Sequence, residues 1–115
     1  MAPVDLETRT TEFALRIIKL FAALPKRRFL ENNFCCGTSV GAHYREAKRA
    51  KSTLDFVSKI EGALQELDET CHWLELIEKS GIMSARRLAS LQTEAVELTK
   101  ILVTVVKRAK DKMKK

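Results

Sequence analysis

The sequence has only two prolines, four glycines, three cysteines, one tryptophan and one tyrosine in 115 residues. So few prolines leave few enforced breaks, and long helices are permitted. No Asn-Gly or Asp-Gly pair occurs, and polar and apolar residues do not alternate over any length. The signals of a β-hairpin are therefore missing. An odd number of cysteines with no Cys-x-x-Cys argues against a disulfide framework and against a zinc ribbon. Adjacent Cys35 and Cys36 would point to different faces of a helix, so one partner does not easily reach both. No apolar run approaches the ~20 residues of a membrane span. The start, Met1-Ala2-Pro3-Val4-Asp5, lacks the basic-then-apolar order of a secretory leader, which makes the cytoplasm the expected location.

What is present fits one domain with one modest core. The chain is 45% hydrophobic and 31% charged, which places it among ordinary globular proteins rather than disordered ones. Its formal charge of +6 is unevenly spread. Residues 1–25 are neutral, 26–51 carry +5, 52–83 carry −5, 84–106 carry +1 and 107–115 carry +5. The basic second segment and the acidic third are expected to attract each other, leaving the tail as the main uncompensated patch.

Apolar periodicity divides the chain into four predicted helices, at about 5–24, 28–50, 53–79 and 84–110. In the first, Phe13, Ile17, Leu20, Phe21 and Leu24 form one stripe, Glu12 and Arg16 are spaced for an ion pair, and Pro25 ends the helix. The second has two stripes. Leu30, Phe34, Gly37, Gly41 and Tyr44 form one, and Phe29, Cys36, Val40, His43 and Ala47 the other, so it should touch two neighbours. The third opens on Ser52-Thr53-Leu54-Asp55, a capping spacing, and closes at Ser80-Gly81. Its overlapping heptads predict a wide buried face. The fourth starts after Ser84 and carries Leu88, Leu91, Ala95, Leu98, Leu102, Val105 and Ala109, broadened by Ile101, Val103 and Val106. The tail beyond it is expected to be solvated and frayed. Four helices with short links predict a single all-α, up-down-up-down antiparallel four-helix bundle over residues 1–115.

Gly37 and Gly41 fall on one face of the second helix, and each costs about 1 kcal/mol against alanine there. The expected compensation is close approach by another helix or another subunit, a structural or assembly role. Gly37-Thr38-Ser39-Val40-Gly41-Ala42, followed by Tyr44-Arg45-Glu46-Ala47, resembles the signature segment of the bacterial family of 23S ribosomal RNA intervening-sequence proteins. Asp5-Leu6-Glu7, Ala14-Leu15-Arg16-Ile17-Ile18, Asp55-Phe56, Glu69-Thr70 and Trp73-Leu74-Glu75-Leu76 extend the resemblance over nearly the whole chain. It departs at Cys35-Cys36, where members carry polar or basic residues, and at His43, where Asn is usual. The resemblance implies a non-enzymatic helical bundle that assembles into a ring, a homopentamer. A more distant group serves the reverse transcriptase of diversity-generating retroelements, which implies a basic ring that scaffolds RNA and a protein partner.

Candidate sites follow from residue types. Glu69-Thr70-Cys71-His72 has the Glu-x-x-His spacing of di-iron bundles, but a second motif and two further inward carboxylates are lacking. His72 therefore reads as a rim histidine, and no metal or cofactor is expected. Zinc held by the cysteines with His43 and His72 lacks ligand spacing, and a cysteine nucleophile lacks a residue to orient its base. Arg45 and Glu46 read either as solvated charges or as a structural ion pair within the bundle or between subunits. Two basic groups, Arg45, Lys48, Arg49 and Lys51, then Lys107, Arg108, Lys110, Lys112, Lys114 and Lys115, are candidate contacts to RNA or DNA phosphates. No base-reading motif or aromatic platform accompanies them.

Overall fold

The computed structural model describes residues 5–24 and 31–114. Four helices follow one another: α1 Leu6–Ala23, α2 Glu31–Lys48, α3 Thr53–Lys79 and α4 Ala85–Met113. No strand occurs among the described residues. The start predicted for α2 near Arg28, Pro25, the side chains of Phe29, Leu30 and Phe34, and Lys115 lie outside the described residues.

Each boundary has a local cause. Asp5 caps α1, its carboxylate accepting from the Thr8 N–H at 3.0 Å and the Thr8 hydroxyl at 2.6 Å. Leu24 is extended (φ −91°, ψ 154°), as the residue before a proline should be. Ser52 caps α3 by accepting from the Asp55 N–H at 3.0 Å. Gly81 follows with φ +78°, a left-handed turn that a β-carbon would strain. Ser84 caps α4 through the Arg87 N–H at 3.3 Å. Helix α4 then runs on to Met113, past the predicted end near Lys110, so the basic tail is helical rather than frayed. Half-buried Ala109 is the last residue packed against the core, and residues 110–114 beyond it are exposed, as a solvated tail should be.

Cross-helix contacts fix an antiparallel order. Lys48 at the end of α2 reaches Glu7 at the start of α1. Cys36 meets Glu69 while Glu46 meets Lys59, so α2 and α3 run oppositely. Gln92–Glu78 and Lys110–Glu61 do the same for α3 and α4. The core between them includes Phe13, Ile17, Val40, Ile60, Leu67, Leu74, Leu88, Leu98 and Leu102, all fully buried. Packing is extensive between helices adjacent in sequence and much thinner between α1 and α4. Two polar ties close that last seam. Arg9 grips both carboxylate oxygens of Glu94, with Nε at 3.1 Å, and the Arg16 guanidinium donates to the Ser90 hydroxyl at 2.9 Å. Arg16 thus bonds α4 and forms no ion pair with Glu12, contrary to the i,i+4 expectation.

The two stripes of α2 meet two different helices. Gly37 and Gly41 face α1, where an added β-carbon would stand 2.6 Å from Ile17 Cγ1 and 3.3 Å from Thr10 Oγ1. The close approach is therefore made by a helix of the same chain. Cys36, Val40, His43 and Ala47 turn toward α3, where Gly62 makes room for the His43 ring. The sequence reading passed over Gly62. Its signal was available, since a glycine between Glu61 and Ala63 in mid-helix carries the same ~1 kcal/mol cost as the two it did single out.

A basic pole and a thiol–carboxylate cleft

An antiparallel bundle brings the C-termini of α2 and α4 to one pole, with the N-termini of α1 and α3. The two basic groups therefore converge. Lys48 from the first and Arg108 and Lys112 from the second line one open cleft of about 480 Å³, floored by Ala47, Ala50, Phe56, Val105 and Ala109. Cations in the last turns of α2 and α4 also meet the negative ends of those helix dipoles.

The cations at this pole fall into two sets. Arg45 and Lys48 reach Glu7 at 3.6 and 2.8 Å, and Lys110 reaches Glu61 at 3.3 Å. Among the described residues, the cations of the second segment that form ion pairs, Arg45 and Lys48, meet Glu7 in the first turn of α1 rather than the acidic α3. Arg49, Lys51, Lys107, Arg108, Lys112 and Lys114 are exposed, and their side chains make no ion pair among the described residues. An aromatic contribution, absent from the sequence reading, is present: Phe56 forms part of the cleft wall, and Lys48 Nζ lies 5.9 Å from the centre of the Tyr44 ring. Arg45 and Glu46 do not pair with each other. Both are exposed, and Glu46 meets Lys59 of α3 at 3.5 Å, so neither is the buried charge whose loss would be costly.

A second cleft lies between α2 and α3, farther along the bundle. Cys35, Cys36, Ser39, Glu66, Asp68, Glu69, His72 and Trp73 line it. Cys36 is buried and its thiol lies 2.9 Å from Glu69 Oε2. Burial, then the Glu69 carboxylate, then that of Glu66 hold the Cys36 thiol protonated far above the ordinary thiol range. Burial raises Cys71 too, with Asp68 adding to it. His72 is exposed beside Trp73, their ring centres 6.2 Å apart, a rim position. Cys36 Sγ and one oxygen each of Glu66 and Glu69 lie within 4.8 Å of one another. No spacing within one helix signals this set, because the thiol comes from α2 and the carboxylates from α3. No helix is long and apolar enough to cross a membrane among the described residues.

Comparisons with known proteins agree with this architecture. No curated protein matches the chain. A crystal structure of a protein of unknown function from the S23 ribosomal protein family of Bacteroides thetaiotaomicron superposes with a TM-score of 0.85. The two are 32% identical, over 88% of this chain and 94% of that one. The family model described as 23S rRNA-intervening sequence protein matches residues 4–104, from before the first helix to well inside the last. The chain belongs to the 23S rRNA-intervening sequence protein family.

Proposed function

We propose that this protein is a non-enzymatic scaffold built from several copies of itself, with a ring of five as the expected form. The observation that carries the reading is apolar surface left on the outside of the two seam helices. Leu15 and Ile18 of α1 are 51% and 43% exposed, and Val96 and Val103 of α4 are 46% and 50% exposed. Each pair repeats at helical spacing, so it forms a short stripe that a neighbouring copy would cover. Sedimentation velocity tests this. The protein should sediment as a discrete oligomer at micromolar concentration, and Leu15→Glu with Val103→Glu should yield helical monomers. A wild-type monomer at the same concentration would sink the reading.

A second reading, contact with RNA or DNA through the basic pole, is favoured by the convergence of the two basic groups. The ribosomal RNA named in the family's description is the natural first ligand to try. Phosphate contact of this kind tolerates sequence and weakens steeply with salt, because each neutralised phosphate releases counterions. A ring would repeat the pole around one axis and raise avidity without a new contact. Because the tail continues α4 as helix, charge is better removed by substitution than by truncation. Fluorescence anisotropy with labelled RNA should give weaker binding for Arg108→Gln/Lys112→Gln, with the logarithmic salt slope falling by roughly 1 per lost contact. Equal affinity and equal slope for this variant would remove the pole from the mechanism.

A further inference from the structure

The thiol–carboxylate cleft has a charge pattern unlike the rest of the molecule. The protein carries a net +6, yet the carboxylates of Glu66 and Glu69 face one thiol and make no ion pair among the described residues. Asp68 adds a third acidic group to the same walls. Like charges held this close without a cation repel, and a cation placed among them would reverse the sign of the interaction. The donor set is also chemically selective. A sulfur ligand disfavours magnesium and calcium, which take oxygen, and favours ions that accept sulfur and oxygen together, zinc above all.

We propose that Cys36, Glu66 and Glu69 form a binding site for one divalent cation of the zinc class. The geometry allows it with small movements. An ion centred among three atoms no more than 4.8 Å apart stands at most about 2.8 Å from each, against bond lengths of ~2.0–2.3 Å. Rotation of the two glutamate side chains closes that gap without moving backbone. The cleft, about 590 Å³ and open to solvent, supplies the entry path and leaves a fourth position for water or a further donor. Binding transfers the Cys36 thiol proton to solvent, and the metal takes the vacated lone pair. The spacing of Glu69 and His72 suggested nothing of this site, because its sulfur ligand lies 33 positions earlier in the chain.

The test uses the full chain, stripped with a chelator and titrated with cobalt(II), then competed with zinc. One cobalt ion per chain should bind and give a sulfur-to-cobalt charge-transfer band. Cys36→Ser should abolish the band, and Glu69→Gln should weaken both cobalt and zinc by roughly tenfold or more. Cys35→Ser should retain it. Circular dichroism confirms that each variant keeps its helices. Because Cys36 is buried and its replacement could loosen the bundle, the exposed Glu69 carries the test independently. The proposal is overturned if no charge-transfer band forms at saturating cobalt, if Glu69→Gln binds as tightly as wild type, or if the band depends on Cys35 instead.

Discussion

Gly37 and Gly41 share one face of α2 but differ in the room beside them. A β-carbon at 37 would meet three atoms of Ile17 between 2.6 and 3.0 Å, and Ile17 is fully buried, so its shift would disturb the core around it. Overpacking of this kind costs ~1–3 kcal/mol and outweighs the ~1 kcal/mol that alanine gains as a helix former. At 41 the nearest atom is the Thr10 hydroxyl oxygen at 3.3 Å, a contact that a small shift relieves. We expect Gly37→Ala to lower the urea midpoint and Gly41→Ala to leave it nearly unchanged. The reverse order would mean that the packing of α1 on α2 is not as described. The sequence pointed to both positions, because a helical glycine needs a reason, but the ranking depends on which side chain of α1 stands opposite. Nothing in the spacing of α2 contains that register. The same limit hid the meeting of Cys36 with Glu66 and Glu69, whose residue types were plain and whose juxtaposition was not.

At the scale of the helix, caps and breakers were the most legible features. Ser52, Gly81 and Ser84 act through neighbours within four residues, so local sequence suffices to find them, whereas Asp5 was read as the first helical residue and proves to be the cap before it. The two stripes of α2 were equally legible, since stripe angle is a property of one helix alone. Charge pairing was not. Glu7 on α1 accepts from Lys48 on α2, and that hydrogen bond, with the charge behind it, holds the Glu7 carboxyl below the usual carboxylate range. A carboxyl whose folded pKa is depressed adds stability above its unfolded pKa, and the contribution disappears as pH falls through the folded value. Thermal melts should therefore separate wild type from Lys48→Met at neutral pH. The separation should shrink as pH drops below ~4 and vanish in stronger acid. A gap that stays constant down to strong acid would assign the effect of Lys48 to packing of its methylene stem.

The whole molecule is a long body of 50 × 31 × 21 Å, and α4, 29 residues at ~1.5 Å each, spans about 44 Å of it. Helix number, order and length were readable from periodicity. The basic pole was readable in principle too, because alternate helices of such a bundle must end together, but the two groups are far apart in the chain. Val103 was counted among the residues that broaden the stripe of α4, yet it faces outward while Val106 is buried, and Leu15 and Ile18 lay hidden inside an ordinary amphipathic pattern. Each helix leans chiefly on its successor in the chain, and the seam joining the two ends of the chain, α1 against α4, is far thinner than these. Most native contacts can then form between neighbouring segments, before any long loop has to close, and low contact order of this sort goes with fast folding. Stopped-flow refolding followed by the half-buried Trp73 should be complete within milliseconds. The α1–α4 seam would close last, so Arg9→Met should speed unfolding and leave the refolding rate almost untouched.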